Sequence, residues 1–544
     1  MRKDLSQHQN IMTSGIPSRP PGFASLPRRQ IVLTFAGVML AMFLSSLDQT
    51  VVGTAMPRIV ADLSGFSHYT WVTTAYIITS AVAIPITGKL TDMYGRKAFY
   101  IIGLFIFIMA SLLSGLSTSM TQLIAYRAIQ GIGAGIMMAN AFTVIGDLFP
   151  PADRGKYQGY MSGVFGISSV IGPTLGGFLT DSLSWHWVFF INIPLGVLII
   201  FLFLKFFPNI RPEIVRHHID YAGLVTLVLT VVPLMLALSW AGVDYAWGSA
   251  TIIGLFVFSA VMLLLFIFIE SRASEPIIPL SLFKNRIVTI SLIISFLIGV
   301  GMFGIIIFIP LFFQGVLGST ATTSGTYLMP MMLGVVSGAF ISGQLLSRAG
   351  GHYRIQGAVG LAIMCGGIFL LSRMTPETTY GTAVLDIVVT GIGLGTTMPL
   401  YMISIQNAVP YNMLGVATSS GTFFRSIGGS VGLGVLGSIL NNSFAGKFMS
   451  LLPESVKQAV HGDTLASLTD NPQALVSPDA QAQLQAILSQ AGDNGLNLFE
   501  QLLQTLREAL SSSLSEVFLI GMFITGAAFI INFFIREIPL RKTH

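Results

Sequence analysis

The sequence predicts an all-α polytopic membrane protein in which two six-helix bundles flank an inserted helix pair, fourteen transmembrane helices in all. Three observations carry this expectation. Hydrophobic residues make up 53% of the 544-residue chain and charged residues 9%, with a mean hydropathy of +0.77, far too apolar for a soluble globule. Apolar runs of about 20 residues recur along it, each long enough to cross a ~30 Å hydrocarbon layer, and the ~10-residue alternation of a β-barrel is missing. The second part of the chain also repeats the glycine pattern of the first.

Residues 1–30 hold Arg2, Lys3, Arg19, Arg28 and Arg29 with several prolines, and no short apolar core followed by a cleavage site, so they read as a cytoplasmic tail. Spans are then expected to begin near Ile31, Trp71, Ala98, Thr121, Tyr157, Trp187, Ile219, Ser249, Ile287, Ser324, Ile355, Ala383, Val416 and Glu516. Sorting the 28 Lys and Arg by this topology gives 21 cytoplasmic, 5 external and 2 within spans, which sets both termini in the cytoplasm. The formal charge of +5 and pI near 9.2 come from basic residues scattered through short loops, a topology signal and not a nucleic-acid surface. The single cysteine, Cys365, lies in an apolar run and reads as a packing residue.

The expected division is a first bundle over 31–207, a linker with two inserted helices over 208–286, a second bundle over 287–440 and 516–540, and an external segment over 441–515. That segment is acidic. Leu484, Ile487 and Leu488, then Leu498, Leu502, Leu503 and Leu506, recur at helical spacing and suggest short amphipathic helices capping the outer mouth.

The repeat is specific. Gly88-x-x-x-Asp92-x-x-Gly95 returns as Gly343-x-x-x-Ser347-x-x-Gly350, an offset of 255 residues. Gly131, Gly133 and Gly135 return as Gly391, Gly393 and Gly395, Pro150 as Pro410, Gly155 as Gly415, and Gly172 and Gly177 as Gly432 and Gly437, all at an offset of 260. A constant offset across two spans and a loop indicates duplication, and an even number of spans per unit makes the two units parallel.

Charges inside spans mark candidate sites, because a charged side chain at a helix centre costs roughly 2.5–3.5 kcal/mol on insertion scales. Asp48, Arg127 and Arg425 are the clearest; Asp386 falls near the outer end of span twelve, and Asp147 closes span four at the cytoplasmic face. Counted at 1.5 Å per residue, Asp48 lies ~25 Å from the inner edge and Arg127 ~9 Å from the outer edge, so the two share one depth. The loop Gly88 to Lys97 sets Lys89, Arg96 and Lys97 beside Asp92, with Gly88 and Gly95 for a tight turn, and Asp92 and Arg96 can pair or bind a neighbouring helix end. Gln130, Met137, Met138, Gln314, Met398, Met402 and Arg425 are candidates to line an adaptable cavity.

At these residues the chain resembles the major facilitator superfamily, in its fourteen-span drug:proton antiporter branch, over nearly all of residues 31–540. Gly88 to Lys97 resembles that superfamily's loop motif between spans two and three, which implies a conformational latch at Gly88, Asp92, Gly95, Arg96 and Lys97. Leu47 to Pro57 resembles the branch's first-span motif, and Arg127 to Gly133 its fourth-span motif associated with proton transfer. Gly159, Gly172, Pro173, Gly176 and Gly177 resemble the fifth-span antiporter motif, with Ser168 where that pattern has a further glycine, and Ser347 departs from the latch acid in the second half.

The resemblance implies a proton-driven exporter of amphipathic, often cationic, compounds in a bacterial-type plasma membrane; burial and shared depth assign proton coupling to Asp48 with Arg127 as its partner, and Asp386 is the reserve candidate. The exporter's expected partners are small molecules, protons and the bilayer, and its expected state a monomer. The alternatives are an exporter of one metabolite, a monovalent cation/proton antiporter, or a sensor on the same fold. An enzyme is not expected, since the spans hold no paired acids or metal-ligand spacing, and no Gly-x-x-x-x-Gly-Lys-Ser/Thr sequence points to ATP; the energy source is a proton gradient, with no metal or other cofactor.

Overall fold

The computed structural model describes residues 26–63, 70–209, 218–242, 244–319, 321–348, 352–459 and 495–540. Fourteen of its helices are long and apolar enough to cross a membrane. We label them α1 (Arg28–Asp62), α2 (Trp71–Tyr94), α3 (Arg96–Gly115), α4 (Met120–Leu148), α5 (Pro151–Ser182), α6 (Trp187–Phe206), α7 (Tyr221–Trp240) and α8 (Ala250–Glu270). The rest are α9 (Arg286–Leu311), α10 (Ala321–Arg348), α11 (Tyr353–Ser372), α12 (Tyr380–Asn407), α13 (Leu414–Leu451) and α14 (Gly495–Asn532).

Packing repeats as the sequence does. In the first half α1 packs on α5, α2 on α4, and α3 on α4 and α6; in the second, α9 packs on α13, α10 on α12, and α11 on α12 and α14. Small residues set these distances, because lipid offers no hydrophobic drive for helix association and close backbone contact must supply it. Gly131 and Gly135 lie one turn apart against α2, where a β-carbon on Gly135 would sit 2.8 Å from Ala83 Cβ, and Gly133 faces α3, where it would sit 2.7 Å from the Phe107 nitrogen.

The halves meet along two symmetric seams, α5 on α10 and α2 on α13. The inserted pair α7 and α8 packs on itself and lays α7 over the second seam. Leu227, Val231 and Met235 of α7 join Ile78 and Val82 of α2 and Phe423 of α13 in one apolar cluster. Exposed Val257, Val261, Leu264 and Phe268 mark the lipid-facing side of α8. After α8 the chain turns back, Glu270 accepting the Ile277 and Ile278 amides at 3.0 and 3.3 Å, and Glu275 pairs with Lys89 of α2 at 3.1 Å.

Two helices run past the boundaries expected at 440 and 516. The α13 helix continues to Leu451, and α14 is already helical from Gly495. The expected amphipathic repeat Leu498, Leu502, Leu503 and Leu506 is therefore the first part of α14, with Leu502 and Leu506 buried, whereas Leu484, Ile487 and Leu488 fall outside the described residues. An apolar seam persists between these extensions although their other faces turn polar. Phe444 and Phe448 of α13 are fully buried, and Lys447 reaches Glu516 at 3.0 Å across to α14.

Contacts between the halves gather at the end that carries the α2–α3 turn. There Gly146 lies under Leu414, and Arg154 of α5 reaches Gln406 of α12. The repeat mates α1 and α9 form no packed pair among the described residues, Gln49 of α1 is exposed, and Gly53 has nothing within 4 Å of a built β-carbon. The molecule is closed at the α2–α3 end and open at the other.

Candidate functional site

Two polar clusters and one pocket make up the candidate site. The first cluster begins on α4, where Arg127 and Gln130 stand one turn apart on a single face. Arg127 Nη1 donates to Asp48 Oδ2 of α1 at 2.6 Å and to Gln130 Oε1 at 2.8 Å. Gln130 Nε2 donates to Asp48 Oδ1 at 2.9 Å, and Asn192 Nδ2 of α6 to the same oxygen at 2.7 Å. Three side chains from two helices thus close around the Asp48 carboxylate of a third, and all four residues are essentially inaccessible. Gly131 lets α2 approach, so that the Tyr76 ring covers the guanidinium at 4.3 Å, a cation–π contact. Arg127 Nε and Asn192 Oδ1 have no hydrogen-bond partner among the described residues.

The second cluster closes the gap between the halves. Asp92 Oδ1 accepts from Arg96 Nη2 at 2.6 Å and from the Gly415 amide at 3.0 Å, and Oδ2 accepts from the Val416 amide at 2.8 Å. Those amides are the free donors at the start of α13, so Asp92 caps a helix of the opposite half, where the dipole favours an anion. Arg96 is held in turn by Asp147 at 3.1 Å and by Thr91 Oγ1 at 2.9 Å. Gly95, at φ 94°, makes the turn that aims Arg96 back. A side chain at Gly88 would strike Ser419. Lys97 takes no part: its ammonium caps the Leu204 and Phe207 carbonyls at 2.9 Å each, at the end of α6.

The fifth-span glycines divide by role. Gly172 and Gly176 seat α5 against Thr50 and Val51 of α1, two and three residues beyond Asp48, while Gly159 faces Phe340 of α10 at 3.1 Å from a built β-carbon. Gly177 touches nothing within 4 Å, and Pro173 lies inside the α5 helix. Thr50 Oγ1 also donates to the Ser168 carbonyl at 3.3 Å, so serine is accommodated in the close approach.

The pocket lies between the halves, lined by Phe142 of α4, Gln158, Met161 and Phe165 of α5, Met398 of α12 and Arg425 of α13. Of the expected cavity residues, Met398 and Arg425 line it. Gln130 belongs instead to the Asp48 cluster, Met137 and Met402 are packed in the core of the first half with Met138 against it, and Gln314 sits in the π-helical turn that ends α9. Asp386 stands apart on α12, 5% exposed, its carboxylate bonded to no other described side chain. Asn192, Arg154 and Gln158 escape the sequence reading. A polar residue inside an apolar run is the signal that marks Asn192, and the i, i+4 pair Arg154 and Gln158 on one helix is the other.

Two parallel, repeat-related bundles, closed at one end over a buried ion pair and open at the other, define a membrane solute transporter. The sequence matches the profile described as Major Facilitator Superfamily over residues 38–433, and the chain belongs to that superfamily. It is 40% identical over 523 residues to "Multidrug transporter protein MdtP" of Bacillus subtilis (strain 168), covering 94% of each chain. It is 38% identical to "Multidrug resistance protein 3" of the same organism, over 89% of this chain and 91% of that one. It is 31% identical to "Efflux pump dotC" of Dothistroma septosporum, over 94% and 85%. Among solved structures, the proton:xylose symporter XylE aligns with a TM-score of 0.57 over 95% of this chain and 98% of its own at 11% identity, a likeness of fold. The human organic anion transporter MFSD10 gives 0.56 over 92% and 100% at 12% identity.

Proposed function

We propose that this chain is a proton-coupled exporter of amphipathic compounds, drugs among them, working by alternating access. The observation that carries the reading is the enclosed Asp48–Arg127 pair. Breaking a buried pair leaves an uncompensated charge at a cost of about 3–5 kcal/mol, so any state that parts the two must neutralise the acid, and a proton is the ligand at hand. Asp48 sits on the segment of α1 that leans on Gly172 and Gly176 of α5, and α5 forms a seam with the other half. Rocking at that seam therefore acts on the helix that holds the acid.

The basic loops of the α2–α3 end support a cytoplasmic position for it, which makes the closed end inward and the open end outward. In that orientation both termini are cytoplasmic. An external proton reaching Asp48 would release Arg127, and release of the Asp92 cap from α13 would open the inner end to cargo; substrate entry with loss of the proton then resets the cycle. The names of the bacterial relatives support drugs as cargo.

The test is purified protein in liposomes under an imposed pH gradient, followed with ethidium and, separately, with sodium and potassium gradients at equal pH. Uptake of ethidium driven by the pH gradient is the expected result. Movement driven by sodium or potassium at equal pH would favour a cation/proton antiporter, and no transport of any drug by folded protein would favour a single-metabolite exporter or a sensor.

A further inference from the structure

Arg425 is a cation inside a membrane span that forms no ion pair among the described residues. Its backbone carbonyl is pressed against Gly299 of α9, where any side chain would collide, and its guanidinium lies 6.0 Å from the Phe142 ring across the gap between the halves. Phe142 compensates the charge only weakly, at the long end of cation–π range. No acid lines the pocket that Arg425 enters. Facing it is Gln158, 1% exposed, whose Nε2 and Oε1 both lack a hydrogen-bond partner in the described structure. Buried amides are almost always bonded, so one left bare at both ends beside an unpaired cation marks a place prepared for a polar ligand.

We infer that Gln158 and Arg425 form a recognition site for the anionic or acceptor-rich end of an aromatic substrate, a carboxylate above all; the cavity between them is water-sized in this conformation, about 20 Å³, so Phe142, Phe165, Met161 and Met398 take the rings only once the halves part. This rests on the exporter reading and narrows its substrate class. Arginine presents a planar fork that matches a carboxylate bidentately, and the Gln158 amide adds a neutral donor one helix away. Thioethers and phenyl rings supply an adaptable apolar wall. The resemblance in sequence implies cationic cargo, but a cation entering here would meet an uncompensated guanidinium. The Asp48 carboxylate is no remedy, for both its oxygens are already bonded inside the first half.

The experiment uses three probes on one scaffold, naphthoate, naphthamide and naphthylmethylammonium, titrated at neutral pH into the purified, detergent-solubilised full chain. Naphthoate is expected to bind roughly tenfold tighter than the ammonium, with the amide between, as a charge-assisted hydrogen bond replaces a repulsion. Arg425→Gln should erase that order and Arg425→Lys keep part of it, while Gln158→Leu should weaken naphthoate and naphthamide alike by several-fold and leave the ammonium unchanged. The wild-type order alone decides the matter if the variants fail to fold. Ammonium binding as tight as naphthoate, or no binding of any of the three, overturns the inference. Uptake of either ethidium or naphthoate driven by a pH gradient, in liposomes made from the same protein, separates this outcome from failure of the exporter reading: transport of either probe keeps that reading whichever of the three ligands binds tightest, since binding is measured without any gradient.

Discussion

Gly155 of α5 and Gly343 of α10 meet backbone to backbone, a β-carbon on Gly155 lying 2.6 Å from the Gly343 carbonyl oxygen. On the other seam Gly88 of α2 and Gly415 of α13 do the same, with 2.8 Å from a β-carbon on Gly88 to the Gly415 oxygen. Gly88 and Gly343 are repeat mates, and so are Gly155 and Gly415, so the two contacts are one contact written twice by the duplication. The seams differ in their cover, since α7 lies over the α2–α13 seam alone, and in their lock. Asp92 locks one of them, and Ser347 stands at its counterpart.

Gly155→Val or Gly343→Val should force the α5–α10 seam open, because a branched side chain has no place between two backbones. Spin labels at exposed Tyr94 of α2 and Leu345 of α10 would report it. We expect a longer and broader distance distribution and transport reduced by about tenfold or more. An unchanged distribution with normal transport would show that closure does not depend on this contact.

Asp92→Asn should slow transport while leaving equilibrium drug binding within about threefold, since a latch alters populations and a ligand contact alters affinity. Asparagine keeps an acceptor for the α13 amides but drops the ion pair with Arg96, which would retain Asp147. A large affinity loss for every substrate with unchanged conformational populations would contradict this division.

Fourteen helices, the duplication and the level shared by Asp48 and Arg127 were legible because each is written in periodicity or depth, and depth along a span is fixed at 1.5 Å per residue. The latch was legible in part. A run of charges announced the turn, but which cation faces the gap depends on the direction each side chain takes from Gly95, so Lys97, next in sequence to Arg96, went unseen as a cap on α6. The ends of α13 and α14 were hidden for another reason: averaged hydropathy falls as soon as one helix face turns polar, although Phe444, Phe448, Leu502 and Leu506 keep the buried stripe going. Methionines gave the least information. Met137 and Met398 differ in environment only through tertiary packing, which no local pattern records.

The sidedness can be tested across α11, with exposed Arg354 at its start and exposed Glu377 in the connection that follows it to α12. In a Cys365→Ala background, Glu377→Cys should react with a membrane-impermeant maleimide on intact cells, and Arg354→Cys only after permeabilisation. Asp479→Cys, in the segment outside the described residues, should behave as Glu377→Cys does. The reverse pattern would turn the whole assignment over and make the closed end the outer one.

Proton coupling is the sharpest prediction. Asp48 accepts three hydrogen bonds from Arg127, Gln130 and Asn192, and parting it from Arg127 inside the bundle would leave an uncompensated buried charge that a proton can neutralise. Asp48→Asn preserves the size of the side chain and removes both the charge and the proton site. It should abolish drug transport driven by a pH gradient, by about a hundredfold or more, while facilitated exchange of drug without a gradient survives. Asp386→Asn should cost less, within about threefold, because Asp386 lies outside the cluster. Asn192→Ala separates architecture from coupling: it leaves the ion pair but removes one donor to Asp48, so transport should continue with its pH dependence displaced. Stopped-flow recording of proton release when drug is added to solubilised protein checks the assignment directly. Full pH-driven transport by Asp48→Asn, with drug still releasing protons from it, would move the coupling to another acid, and Asp386 would be the first to examine.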